Sequence, residues 1–162
     1  MKHYGAPWGR TVTIMSAFVV IVCLGIAALV AGKTHGAAAL GAVVPVAVVL
    51  VTALFVVRGY SLEPGELRVQ RLLWATRVSL KGLAEVAFRP NVMRGSVRWF
   101  GNGGLYAFTG LFQNRELGRY RAFVTDHART VVLRIGPRTI VVSPSSPEAF
   151  VDEVRATQFG PA

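Results

Sequence analysis

The sequence predicts an α+β membrane protein. A transmembrane helical hairpin leads, an antiparallel β-barrel or sandwich follows, and a C-terminal α-helix caps it. Three observations carry this reading. Two long runs without a charge, Thr11 to Ala31 and Ala37 to Val57, are separated only by Gly32-Lys33-Thr34-His35-Gly36. From Tyr60 onward, apolar residues alternate with polar ones at a period of two. Near the end, Ser143-Pro144-Ser145-Ser146-Pro147-Glu148 introduces a short amphipathic pattern.

Each apolar run has 21 residues. As a helix that is roughly 31 Å, close to the roughly 30 Å hydrocarbon core of a bilayer. Helices are expected over about 11–31 and 37–57, which divides the chain into a membrane part, 1–58, and a cytoplasmic domain, 59–162. The first run is too long for a signal-peptide core, and a second follows at once. Lys2 and Arg10 precede the hairpin, Arg58, Arg68, Arg71 and Arg77 follow it, and Lys33 is the one firm charge in the turn. The positive-inside rule therefore puts both termini in the cytoplasm of a multi-pass protein of the cell membrane. Trp8 and Tyr60 suit the headgroup level, and Arg58 can snorkel to it. Ala28/Gly32 and Ala37/Gly41 allow close backbone approach of the two helices. Pro45 is expected to loosen or kink the second helix.

The 162 residues carry 18 Lys/Arg against 8 Asp/Glu, a formal charge of +10. All eight acids lie after Leu62, and fifteen of the basic residues are Arg. Guanidinium favours planar, bidentate contact with phosphate or carboxylate. A solvated basic surface beside an anionic membrane accounts for the excess better than nucleic-acid recognition does, since charge alone specifies no partner. The single cysteine, Cys23, lies inside the first run. It excludes an intrachain disulfide and a cysteine metal cluster.

In the second part, Leu67 and Val69 alternate with Arg68 and Gln70, Val78 and Leu80 with Arg77, Ser79 and Lys81, and Val86 and Phe88 with Glu85, Ala87 and Arg89. Val97 and Trp99 flank Arg98, and Val131, Leu133 and Ile135 flank Arg134. These are expected as half-buried antiparallel strands, apolar side inward and Arg outward. Glu63-Pro64-Gly65 and Gly136-Pro137-Arg138 read as turns. Ser146 is placed to cap the last helix with Pro147 at its first position, and Ser145 with Glu148 also fits a capping box. Phe150, Val151 and Val154 form its apolar face, and fraying is expected after Thr157.

The segment from Gly95 to Gly118 is the least ordinary. It lacks the glycine spacing of a dinucleotide fingerprint and the Gly-Lys-Ser/Thr of a phosphate loop. A tight turn is expected at Asn102-Gly103. Tyr106, Phe108, Leu111 and Phe112 form a candidate apolar lip. The candidate interaction edge consists of Arg94, Arg98, Tyr106, Phe108, Phe112, Arg115, Arg119 and Arg121.

Phe100-Gly101-Asn102-Gly103-Gly104, Gly110-Leu111-Phe112, Leu117-Gly118-Arg119-Tyr120, Phe123-Val124-Thr125-Asp126, Val131-Val132-Leu133, Ile140-Val141-Val142-Ser143-Pro144 and Pro147-Glu148-Ala149-Phe150 together resemble the bacterial pleckstrin-homology-like (PH) domain family. The Ser-Pro-x-x-Pro-Glu-x-Phe ending is the most specific part. The resemblance runs from about Tyr60 to the C-terminus, and members often carry an N-terminal membrane hairpin. It implies a seven-stranded, partly open barrel capped by a C-terminal helix, and no enzyme activity. It supplies no ligand residues to carry over. The basic pair that binds inositol phosphates in the first hairpin of eukaryotic members has only Arg68 and Arg71 as counterparts here.

No catalytic, cofactor or metal site is expected. His3, His35 and His127 are far apart, and Asp126-His127 falls where a turn is expected. No carboxylate pair and no nucleophile-elbow serine stands out. The leading expectation is a non-enzymatic, membrane-anchored interaction module at the cytoplasmic face, binding anionic lipid headgroups, a membrane protein or a cytoplasmic protein partner. The alternative is a regulatory or ligand-binding subunit of a larger membrane enzyme or transport complex.

Overall fold

The computed structural model describes residues 2–33 and 40–160. Its order is β1 (Lys2–Gly5), α1 (Arg10–Lys33), α2 (Val43–Ala53), β2 (Gly59–Glu63), β3 (Glu66–Gln70), β4 (Ala75–Ser79), β5 (Leu83–Phe88), β6 (Val97–Gly103), β7 (Phe108–Asn114), β8 (Gly118–Val124), β9 (Val131–Ile135), β10 (Arg138–Val142) and α3 (Pro147–Phe159). The strands form a four-stranded sheet, β1-β2-β3-β4, and a six-stranded sheet, β5-β9-β10-β8-β7-β6. The expected seven-stranded, all-antiparallel barrel is corrected: among the described residues there are ten strands in two sheets, and one pairing is parallel. β10 pairs with β8 in parallel, so the larger sheet is mixed.

The sheets enclose one core. Tyr60, Leu62, Leu67, Val69 and Val78 of the small sheet meet Val86, Phe123, Val131, Leu133, Ile140 and Val142 of the large one. α3 closes this core with Phe150, Val151 and Val154, all buried as the helical pattern predicts. Pro147 stands in its first turn, Ser146 precedes it without a side-chain cap bond, and the helix runs to Phe159, beyond the expected fraying point. The other face of the large sheet is covered as well, by Val92 and Met93 over Phe112, Tyr120, Ala122, Val124, Val132 and Val141. The turns at Glu63–Glu66 and Ile135–Arg138 join β2 to β3 and β9 to β10 as predicted.

The N-terminal segment differs from expectation. Residues 2–5 form an edge strand on β2, with Tyr4 opposite Tyr60. Strand alternation turns Tyr4 inward, where its ring lies 5.2 Å from that of Phe150, and Lys2 pairs with Glu153 at 2.7 Å. The chain on either side of the apolar helices is thereby fastened to a single sheet.

α1 has 24 residues, about 36 Å of helix, and is long and apolar enough to cross a membrane. Most of its large apolar side chains are exposed, including Ile14, Phe18, Ile21, Leu24 and Leu29. Its first turns are docked on the β6–β7 connection. Buried Ser16 donates to the Gly104 carbonyl at 3.4 Å and accepts the Tyr106 N–H at 2.8 Å, and the Gly9 N–H donates to the Thr125 carbonyl. Ser16→Ala leaves the Tyr106 N–H without that acceptor. It is expected to cost about 1–2 kcal/mol, read as a fall of roughly 5 °C in the melting temperature of the detergent-solubilised protein.

The second apolar helix is shorter than expected. Residues 34–39, which include the middle of the expected turn and the start of that helix, lie outside the described residues. From there the apolar helical stretch is Leu40–Ala53, roughly 21 Å long. It ends because Val57 is wanted elsewhere: this residue is fully buried in the core. Arg71 donates to the Phe55 carbonyl at 3.0 Å, just beyond the helix. Pro45 falls in the first turn of α2, where its missing N–H breaks no bond, so it begins the helix instead of kinking it.

Candidate functional site: an arginine-lined cavity beside the apolar helices

Period two decides which side chains of β6, β7 and β8 share a face. On β7, Phe108 and Phe112 point one way, Thr109 and Leu111 the other. Phe112 is buried and stacks with Tyr120 at 6.1 Å, while half-buried Phe108 lies 4.4 Å from the His127 ring. The expected lip is therefore divided: Phe108 and Phe112 pack inward and Leu111 stays exposed. β6 departs from its pattern. A register shift between Arg98 and Phe100 breaks the alternation, and Val97, Trp99 and Phe100 are all exposed, where Val97 and Trp99 were expected to face inward. The expected turn at Asn102-Gly103 is still strand. The chain reverses over residues 104–107, held by the Asn102 side chain, which accepts from the Leu105 N–H at 3.2 Å and donates to the Leu105 carbonyl.

Leu111 is opposite Arg121 on β8, and Phe100 is opposite Leu111. The same face carries Asn102, Thr109 and Phe123. Phe123 belongs to the core, whereas Arg121 and Phe100 lie beyond the part covered by the small sheet. The end of α2 and Arg71 stand over this uncovered part. Between them lies a cavity of about 680 Å³, with Thr52 and Phe55 on one side, Phe100, Leu111 and Phe123 on the other, and Arg71, Arg98 and Arg121 in its wall.

The electrostatics are one-sided. No Asp or Glu lines the cavity. Arg71 and Arg121 flank the same Phe123 ring, with guanidinium carbons 5.5 and 5.0 Å from its centre. Burial pushes the Arg71 pKa down, and the like charge of Arg121 adds to this. Arginine stays protonated at neutral pH regardless, so the wall remains cationic. Six of the eight acids are paired elsewhere: Glu63 and Glu66 on Arg68 and Arg77, Glu85 and Glu116 on Arg89 and Arg134, Asp126 on Arg129, and Glu153 on Lys2. Of the two first-hairpin arginines, Arg68 is thus neutralised by Glu63 at 2.8 Å, while Arg71 faces the cavity.

The remaining edge residues are dispersed. Arg94 and Arg115 are exposed in connections on either side of the β6–β7 hairpin. Arg119 lies over the Trp99 ring at 4.4 Å. Tyr106 sits in the turn against Trp8, ring centres 5.9 Å apart. Only Arg98 and Arg121 of the eight line the cavity, and the structure adds Arg71, Phe55 and Phe100 to them. Exposed Trp74 extends the apolar rim, edge-on to Phe55 at 5.3 Å, and Leu72 and Leu73 before it in the chain are exposed as well.

Among the described residues no three His, Cys, Asp or Glu side chains gather where they could hold a metal. Asp126 and His127 serve a turn: Asp126 accepts the Ala128 N–H at 3.0 Å, and burial pushes the His127 pKa down against the opposing pull of Asp126. What the cavity offers chemically is an acid-free set of guanidinium donors inside an apolar rim, suited to an amphiphilic anion.

A family model described as a bacterial PH domain matches residues 58–158. No curated protein matches the chain, and no solved structure matches it.

Proposed function

This chain belongs to the bacterial PH domain family, and from that premise we propose that it is a membrane-anchored, non-enzymatic interaction module of the cytoplasmic membrane face. The pairing of β1 with β2 is the observation that carries this reading. A chain that leaves the sheet through α1 and spans a bilayer has to return through α2 before β2 begins. Residues 1–58 then act as a two-pass anchor, with residues 59–162 and both termini in the cytoplasm, where the excess of Arg after α2 is favoured. The short α2 is compatible with a return pass in which flanking residues snorkel or the bilayer thins locally. The docked Ser16 and Gly9 fix the barrel close to the base of α1, so its basic, apolar-rimmed side lies near lipid headgroups and near any partner anchored there.

Topology tests this directly. In a Cys23→Ala background, Lys33→Cys in intact bacterial cells is expected to react with a membrane-impermeant maleimide, and Ser146→Cys only after lysis. The full chain is expected to stay in the membrane fraction through alkaline carbonate extraction. Labelling of Ser146→Cys from outside, or release by carbonate, would overturn the reading.

A further inference from the structure

Resting on the membrane-anchored reading above, we propose that the cavity between α2 and the β6–β8 face binds the phosphate of one anionic phospholipid, held by Arg71, Arg98 and Arg121. Three observations single out this ligand. The cavity wall has three guanidiniums and no carboxylate, and among the described residues no ion pair involves any of the three. A phosphate supplies the missing counter-charge and matches the planar donor fork of arginine. The rim is apolar: Phe55, Phe100 and Leu111 of the lining are exposed, exposed Trp74 packs edge-on against Phe55, and Leu50 and Val51 continue the exposed apolar surface along α2. A soluble phosphate ester has no use for that surface, whereas lipid acyl chains do. The cavity also lies against the end of an apolar helix that the anchor reading places in the bilayer.

The backbone contributes as well. Gly101 and Gly110, opposite each other in β6 and β7, line the cavity without side chains. Strand pairing therefore supplies part of the wall as bare backbone. This site is distinct from the first hairpin, whose Arg68 is already paired.

The test uses the detergent-solubilised full chain titrated with phosphatidylglycerol, with retained lipid counted by native mass spectrometry. Arg98→Gln with Arg121→Gln is expected to weaken the apparent affinity roughly thirtyfold, since each arginine beside an anionic lipid is worth about a factor of five. Arg71 is left intact because it also holds the Phe55 carbonyl. A control pair, Arg115→Gln with Arg138→Gln, removes the same charge from exposed positions away from the cavity, and is expected to change the affinity less than about threefold. Phosphatidylcholine is expected to be retained poorly by all forms, and excess glycerol 3-phosphate is expected not to displace phosphatidylglycerol. Equal loss in both pairs would overturn the proposal by reducing binding to overall charge. Displacement by glycerol 3-phosphate would overturn it in favour of a soluble ligand. Membrane retention of the Arg98/Arg121 variant separates the two readings. If the variant remains carbonate-resistant while phosphatidylglycerol binding is unaffected, the cavity proposal fails and the anchor stands. If the wild type itself is released, the anchor fails first.

Discussion

A Gly110→Ala chain is expected to melt about 10 °C below the wild type. Gly110 of β7 is paired with Gly101 of β6, with φ values of +137° and +110°. A side chain at such angles is strained by about 1–3 kcal/mol. Space is lacking too. A Cβ on Gly110 collides with the Phe100 carbonyl oxygen and lies 2.8 Å from Gly101 Cα, and one on Gly101 collides with the Thr109 carbonyl oxygen. These are backbone atoms in a paired ladder, so no rotamer change relieves the overlap, and separating the strands costs a further 1–3 kcal/mol or so. Together the cost is roughly 3 kcal/mol or more, which sets the expected shift in a circular dichroism melt in detergent. Gly118→Ala is the comparison. It also has a positive φ, +66°, but nothing within 4 Å of its Cβ position, so about 1 kcal/mol is expected there. Equal melting temperatures for the two variants would show that β6 and β7 do not approach as closely as the pairing requires. Because β6 carries Arg98 and Phe100, Gly110→Ala is also expected to weaken phosphatidylglycerol binding.

The elements legible in the sequence were those that carry their own punctuation. β3 and β9 combine strict periodicity with a Pro-Gly or Gly-Pro turn, β4 has the periodicity alone, and α3 has a Ser-Pro start. Each is reproduced to within one or two residues. β1 was not legible, because four residues hold one inward position, Tyr4, and the partner strand lies beyond both apolar helices. The end of α2 was misread for a related reason. A run of valines is equally suited to lipid and to a barrel core, and Val57 is claimed by the core. The faces of β6 depended on a bulge that nothing in the residue pattern announces. The candidate site was half legible. Arg98 and Arg121 were named with Phe108 and Phe112, yet strand alternation already separates those phenylalanines from Leu111. Arg71 joins the other two arginines only through the packing of β3 and α2 against β8, which no local pattern encodes. Arginine pairing narrows the choice only in part: of the ten arginines without an ion pair among the described residues, Arg71, Arg98 and Arg121 are the three that the cavity brings together.

Tyr60→Phe is expected to destabilise the domain at neutral pH, to do so less and less as pH rises above 10, and to become the more stable form before pH 12. Tyr60 is fully buried on β2. Its hydroxyl donates to the Phe123 carbonyl at 2.6 Å and accepts the Ser143 N–H at 3.1 Å, so one phenol joins the small sheet to two parts of the large one. Ser143 continues the link, its hydroxyl accepting the Thr125 N–H at 2.8 Å, and the Thr125 carbonyl in turn receives Gly9 at the base of α1. Removing the hydroxyl breaks two buried bonds and costs about 2 kcal/mol. The pH dependence follows from burial, which pushes the Tyr60 pKa up to about 12. In the unfolded chain the phenol ionises near its ordinary value of about 10. Below pH 10 both states keep the proton, and the contribution of the buried phenol is intact. Between 10 and 12 only the unfolded chain releases it, so stability falls by about 1.4 kcal/mol per pH unit, or ~3 kcal/mol in all. Tyr60→Phe has no such proton to lose. Tyr4, Tyr106 and Tyr120, whose pKa values burial also raises, are present in both proteins and cancel in the difference. Melting temperatures of the two detergent-solubilised proteins, measured from pH 8 to 12, are therefore expected to converge and then cross before pH 12, because the ~3 kcal/mol lost by the wild type exceeds the ~2 kcal/mol that the hydroxyl contributes. A gap that stays constant across that range would show that Tyr60 is ionised with equal ease in both states, and that the link between the two sheets is open to water.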